Sequence, residues 1–427
     1  MIKEVNTNMI KLEEAQNKIF GIFESEWFKY ALVFITLFFS TSIELVADIA
    51  VIRNIKNAYF LIIPLALIIH MIRKKQINKD INMIFLGLCI FSGLSLTWSI
   101  SIVDTAKNAL LLTGTTIIGV YMSKNYDKKE IMEKLFMWFF VIVVINLILF
   151  VLGVNTIYET SDLRYKNAIQ GIFTHRNILG LYMSIAISLS LWFLINHENN
   201  KVKKILSAIT LLGAMFLLFE SRSMTSMLLG VFIIGLILIT RYRKINKLLC
   251  YSVLPLMAFA IVILLFTPDW FKSILESLGR NPTLTGRSII WTGIIAAIAY
   301  KPLFGFGFGA FWTMNPYSVL FVLSEYKIEL PSHGHNGYLD VVLDFGIIGL
   351  ILVAAWVITV LKKINTLSSK EINSNYKYIG YILSFFIFIL VFNLVESSLI
   401  RQCTATYILV IIFTNMLFQI SKEKEVS

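Results

Sequence analysis

The sequence predicts an all-α polytopic membrane protein with about 12 transmembrane helices and one large outer loop. Three observations carry this expectation. Hydrophobic residues make up 57% of the 427 residues and charged residues only 15%, where a soluble domain carries roughly 25% charge. The apolar residues come in long runs separated by short basic segments. Basic charge recurs in every second one of those segments, as it does when alternate loops face the cytoplasm. Alternating segments of about 10 residues are absent, which excludes a membrane β-barrel.

The elements follow in order. Residues 1–27 are amphipathic and mixed in charge, with Ile10, Leu12, Ile19, Phe20 and Phe23 as their apolar side. They lack a basic stretch leading into an apolar core, so they read as a cytoplasmic surface helix rather than a cleaved signal, and the first span as an uncleaved anchor. Residues 28–267 hold nine spans, at 28–46, 58–72, 81–100, 105–123, 132–153, 178–195, 204–219, 224–240 and 248–267. Residues 268–337 form the large outer loop, with an apolar helix over Ser288–Tyr300 that is too short to span and lies along the interface. Three more spans, 338–361, 377–395 and 404–420, complete 338–420, and 421–427 is a cytoplasmic tail. The Lys- and Arg-rich loops are those with Arg73 to Lys79, Lys124 to Lys129, Lys201 to Lys204, Arg241 to Lys247 and Lys362 to Lys377. The poorer loops, with Arg53 and Lys56, Arg164 to Arg176, Arg222 and Arg401, face outward, and both termini face the cytoplasm.

The net charge of +12 is therefore a topology signal. It points to anionic headgroups and an anionic lipid-linked ligand, not to nucleic acid. Cys89, Cys250 and Cys403 form no metal or redox spacing and read as packing residues.

The chemistry concentrates in Ser332-His333-Gly334-His335-Asn336-Gly337-Tyr338-Leu339-Asp340, a polar island at the mouth of an apolar helix, where polar groups are expensive to place. A histidine there can take a proton near neutral pH. Free N–H groups at the helix start would favour a phosphate, so base and anion site would coincide. Position does not choose between His333 and His335. Four outward arginines, Arg176, Arg222, Arg280 and Arg287, suit an anion, because the guanidinium fork donates bidentate hydrogen bonds; snorkelling at the interface is the plain alternative. The acidic groups Glu44, Glu220, Asp340, Asp344 and Glu396 can pair with the arginines or act as a base, and Glu396 with Arg401 on the last outer turn reads as a plain salt bridge. Gly305-Phe306-Gly307-Phe308-Gly309 lacks the strand-then-helix setting of a phosphate loop and reads as a re-entrant turn with aromatics dipping into the interface. Gly346 and Gly349 have the spacing of a helix-packing pair. His333-x-His335 alone is too weak for a metal site.

Three segments in order resemble one family. His335-Asn336, nine residues, then Gly346-Ile347-Ile348-Gly349 is similar to the histidine signature of the O-antigen ligase and Wzy-type polysaccharide polymerase superfamily. Thr283 to Arg287 with Ile290-Trp291, then Lys301 to Gly307, resembles its outer loop, and Gly171 to Gly180 resembles a segment of its exopolysaccharide-polymerase members, which often carry lysine where Arg176 stands. The resemblance implies a GT-C-like membrane enzyme. It implies metal-independent, inverting transfer of a glycan from undecaprenyl diphosphate to a sugar hydroxyl, outside the cytoplasmic (inner) membrane of a bacterium and without a cofactor. It makes His335 the general base and has Arg222 and Arg287 grip the diphosphate, with Arg176 and Arg280 in the same group and Asn336, Tyr338, His333 and Glu396 as acceptor-side support. The acceptor would be a lipid-linked glycan for a polymerase or lipid A core for a ligase. Membrane lipids and a chain-length regulator protein are the other partners it implies. The Thr174–Asn177 segment and the wording of Pro331–Asp340 lean towards the polymerase. A transporter of lipid-linked sugars is the third reading; the absence of two related halves counts against it.

Overall fold

The computed structural model describes residues 21–76, 83–153, 167–196, 200–266, 268–277, 287–313, 333–369 and 375–422. These residues are helical but for turns, a 3-10 turn at Ser95–Thr97 and one isolated bridge between Ile43 and Phe173. The helices are α1 (Glu26–Ser40), α2 (Glu44–Asp48), α3 (Ala50–Arg73), α4 (Met83–Leu94), α5 (Ile102–Asn125), α6 (Lys128–Val151), α7 (Arg176–Asn196) and α8 (Lys201–Glu220). They continue as α9 (Met224–Ile239), α10 (Arg243–Phe266), α11 (Asp269–Ser277), α12 (Arg287–Tyr300), α13 (Gly337–Ser368), α14 (Tyr376–Phe392) and α15 (Ala405–Lys422).

Seven are long and apolar enough to cross a membrane, namely α3, α6, α7, α8, α10, α13 and α15. About 20 residues at 1.5 Å each cover the hydrocarbon layer. The chain is a multi-pass membrane protein. The remaining expected spans differ. Helices α4, α9 and α14 are apolar but shorter. The first expected span, 28–46, is interrupted after Ser40: the Thr41 hydroxyl donates to the Leu37 carbonyl, and Ser42 takes a left-handed φ of 54°. Of the 268–337 segment, the described parts are Pro268 with α11, α12 with a compact turn over 301–313, and residues 333–337 that lead into α13. Residues 1–20 of the expected N-terminal surface helix and 423–427 of the tail lie outside the described residues.

Three further expectations are corrected. Arg53 and Lys56, read as loop charges, sit on the first two turns of α3, which begins at Ala50. Their helix is locked onto α5 where Pro64, lacking an N–H, leaves the Phe60 carbonyl without its helical donor; Gly114 lies so close that a Cβ there would stand 1.9 Å from that oxygen. Gly346 is not a helix-packing glycine. It breaks α13 with φ 64° and ψ −163°, and a Cβ would meet the Leu303 backbone at 2.2 Å. The Pro302 carbonyl accepts from Ile347 N–H at 2.8 Å and so satisfies a donor the break exposes, as a membrane interior requires. The 305–309 turn does not dip its aromatics into the interface. Phe308 is buried and stacks on Phe345 of α13, while Phe306 and Gly307 N–H donate to the Leu343 and Asp344 carbonyls. Helix α12 packs on α13 through Trp291, Ile294 and Ala297, which delivers Arg287 to the start of α13.

Candidate functional site

The site is assembled at the N-terminus of α13. Asn336 caps that helix: its side-chain oxygen accepts from Tyr338 and Leu339 N–H at 3.0 and 3.1 Å. Gly337 N–H donates to the Asn393 and Glu396 carbonyls at 2.9 and 3.0 Å. The N–H groups expected to receive a phosphate at this helix start are therefore committed, which corrects the expectation that base and anion site coincide there. The same contacts tie the turn after α14 to α13. Asn336 Nδ2 donates to the Leu394 carbonyl, Asn336 N–H to Ser397 Oγ, and Ser398 N–H to Asn393 Oδ1. Tyr338 reaches α14, its hydroxyl donating to the Leu390 carbonyl. On the other side Gly334 is pinned, with its N–H on Asp340 Oδ1 and its carbonyl accepting from Trp291 Nε1. Between these anchors His335 is held at φ 47°, a conformation uncommon for a residue with a Cβ and stable only when its surroundings impose it.

Glu396 is the centre. Its Oε1 accepts from Arg287 Nη2 at 2.7 Å and from Asn177 Nδ2 at 3.1 Å. Its Oε2 lies 3.3 Å from His335 Nδ1 and 3.8 Å from His333 Nε2, and the two imidazole rings are 4.1 Å apart. Burial by itself would raise the Glu396 carboxyl, but hydrogen bonds with His333 and His335 and the Arg287 charge hold it well below the usual carboxylate range. Burial holds His333 below its ordinary value against the pull of Glu396. His175, one residue before α7, is brought down to about 4 by burial and the adjacent Arg176 charge. Its Nδ1 accepts from Asn177 N–H at 3.1 Å.

These groups open on a cavity of about 600 Å³. His175, Asn177, His333, His335 and Glu396 line one part of it; Arg53, Lys56, Lys107 and Arg401 line another. The expected Glu396–Arg401 salt bridge is absent. Arg401 Nη1 donates instead to the Ser397 carbonyl at 3.4 Å, because the turn that carries both is tethered to α13 at one end and to Thr115 through Cys403 N–H at the other.

Of the residues singled out in the sequence, His333, His335, Asn336, Arg287 and Glu396 are brought together. Arg176 is buried, and its Nη1 donates to the Arg222 carbonyl at 2.8 Å. Arg222 occupies the α8–α9 turn with φ 49° and an exposed side chain. Arg280 lies outside the described residues. Asn177, His175, Arg53, Lys56, Lys107 and Arg401 were given no part in the site by the sequence. Asn177 follows the arginine that drew attention, and only its 219-residue reach to Glu396 reveals its place. One donor atom from each of His333, His335 and Glu396 falls within 4.8 Å of the others, a set able to hold a cation. Arg287, on the other oxygen of the same carboxylate, competes for that charge.

Residues 206–354, which span α12 and the start of α13, match the O-antigen ligase family. The chain is 29% identical over 210 residues to the exopolysaccharide production protein ExoQ of Rhizobium meliloti, covering 47% of each. It is 33% identical over 114 residues to a candidate polysaccharide ligase of Rickettsia felis, covering 25% of this chain and 28% of the relative. A similarly named Rickettsia prowazekii protein is 23% identical over 384 residues, 82% of this chain and 91% of the relative. The matched stretch thus spans about half or less of the first two relatives. Part of the chain, residues 206–354, thus matches the O-antigen ligase family, and the relatives it resembles carry exopolysaccharide-production and polysaccharide-ligase names.

Proposed function

We propose that the protein transfers a glycan from a polyprenyl diphosphate, undecaprenyl diphosphate in bacteria, to a sugar hydroxyl of a second lipid-linked glycan, as a polymerase on the outer face of the cytoplasmic membrane. The observation that carries this reading is Glu396, one buried carboxylate shared by two histidines and an arginine at the edge of a cavity. A carboxylate on one imidazole nitrogen fixes the tautomer and strengthens the base at the other. With its Nδ1–H on Glu396, His335 presents Nε2 to the acceptor hydroxyl.

The acceptor oxygen attacks the anomeric carbon as its proton passes to His335 Nε2. The bond from that carbon to the diphosphate oxygen breaks, and the polyprenyl diphosphate leaves with the electron pair. A single displacement inverts the anomeric centre. Arg287 uses one N–H on Glu396, and its remaining N–H groups are uncommitted among the described residues, so the guanidinium can receive the negative charge that develops on the leaving group. Arg176, whose Nη1 donates to the Arg222 carbonyl, adds positive charge beside His175 at the same end of the bundle. Asn177 and Arg287 fix Glu396 from its far oxygen, so the carboxylate cannot turn away from the histidines.

The test is a gel of products after the purified protein meets one lipid-linked repeat unit with no other acceptor. A ladder that disappears in His335→Ala supports the polymerase and the role of His335. Transfer only when lipid A core is supplied makes the protein a ligase. No transfer with either acceptor rejects the enzyme reading in favour of transport.

A further inference from the structure

Four cations face the same cavity as the histidines and have no place in the transfer step. Arg53 and Lys56 come from the start of α3, Lys107 from the first turns of α5, and Arg401 from the turn between α14 and α15. Three separate stretches of chain converge, and Lys107, Arg53 and Arg401 all act electrostatically on Lys56. Among the described residues none of the four forms an ion pair with a carboxylate. Arg53 Nη1 donates to the Ala47 carbonyl and Arg401 Nη1 to the Ser397 carbonyl. Among the described residues Glu396 is the one acidic residue lining the cavity, and it is committed to Arg287 and the histidines.

Like charges beside apolar helices are costly to gather and mark a ligand unless they are paired. The positive-inside tendency does not account for them either, since they stand at the end of the bundle that is poor in basic loops. Their carriers are held firmly. Gly114 lets α5 close on α3 at Phe60, Gln402 Nε2 donates to Asn108 Oδ1 beside Lys107, and Cys403 N–H donates to Thr115 of α5.

We propose that Arg53, Lys56, Lys107 and Arg401 form a second anion site, which takes the diphosphate of the acceptor lipid-linked saccharide. Two guanidinium and two ammonium groups exceed what one headgroup phosphate needs and suit the adjacent phosphates of a diphosphate. The choice of ligand rests on the transfer reaction proposed above. In that reaction the acceptor presents its hydroxyl, not its diphosphate, to His335, so its diphosphate needs a place apart from Arg287.

Binding alone tests the site. The full chain is placed in phosphatidylcholine nanodiscs, and its occupancy by sugar-free polyprenyl diphosphate is counted by native mass spectrometry. Wild type is expected to hold two probes, and Lys56→Gln/Lys107→Gln one, with the lost site weakened at least tenfold. Lys56→Arg/Lys107→Arg keeps the charge and should hold two, which separates loss of charge from loss of fold. Arg287→Gln should lose the other probe. Two probes bound with unchanged affinity in the glutamine pair overturns the proposal. So does displacement from this site by equimolar phosphatidylglycerol, which would make it a headgroup site. The two readings fail separately. Probe binding governed by the lysines with no glycan transferred leaves the site standing without the enzyme. A ladder made by the glutamine pair at an unchanged KM for acceptor leaves the enzyme without the site.

Discussion

Two clusters of charge occupy opposite ends of the bundle, joined by the length of α3, and their construction differs. At the end where Lys74 meets Glu24, Lys134 is buried, and its ammonium lies 3.0 Å from both Glu26 and Glu130 and over the Tyr30 ring. Lys29 closes the set on the same two glutamates at 2.9 and 3.0 Å. Two lysines meet two glutamates, and the charges cancel. At the other end Glu396 faces Arg287, two histidines and a cavity with four more cations. A balanced cluster satisfies itself and fastens α1 to α6. An unbalanced one that opens on a cavity is completed by something from outside. Net charge and access, rather than burial, separate a structural ion cluster from a binding site.

Substitutions at the two ends should therefore fail in different ways. The largest effect is expected from His335→Ala, a loss of ~10³-fold in the rate of ladder formation, the range of general acid–base assistance. His333→Ala should lose less than ~10-fold; the reverse order would exchange their roles. Glu396→Gln keeps the size and an acceptor oxygen but removes the charge that sets the His335 tautomer. A ~10²-fold fall in turnover is expected, by analogy with the loss of the carboxylate behind a catalytic histidine. Because Glu396 is held far below its ordinary value, it stays ionised across the working range. Its stabilising contribution is present above the ordinary carboxylate value and is lost only as pH falls through the depressed one. An acidic limb in the pH–rate profile of the wild type would then not belong to Glu396.

At the opposite end Lys134→Met should cost about 2 kcal/mol of stability, the worth of charge-assisted hydrogen bonds to partly exposed partners, and leave turnover per folded molecule unchanged. A fall in turnover without a fall in melting temperature would erase the contrast between the clusters. The smallest effect concerns His175. Its native value of about 4 lies below the ordinary 6.5, so the unfolded chain takes the proton first. Stability is then lost progressively as pH falls from 6.5 to about 4, by no more than about 1 kcal/mol after solvent screening. A ring-carbon NMR titration of His175 that shows protonation near 6.5 would contradict this.

Sequence and structure agree most where the signal is local. Long apolar runs mark the seven full-length helices, since a span must satisfy its backbone within itself. The polar island at His335 announces itself because nothing apolar explains it, and Asn336 is recognisable as a residue type that caps helices. The failures concern distance and backbone shape. Arg53 and Lys56 look like loop residues because their charge argues against a helix in lipid, but a helix that faces a polar cavity can carry them there. Glu396 and Arg401 are five residues apart and look paired; the tethered turn between them sends one to the histidines and the other to the cavity wall.

By itself the sequence determined the helical, membrane-spanning character of the chain and the segment where its chemistry lies, because hydropathy and polar exceptions act over one or two turns. Only the tertiary structure decided which charges share that place. Arg287 meets Glu396 across 109 residues and Asn177 meets it across 219. Gly346 breaks α13 only because the Pro302 and Leu303 carbonyls stand ready for the freed N–H groups. A carboxylate's partners are chosen by which helices pack against one another, and that packing sums many weak contacts that no short window of sequence contains.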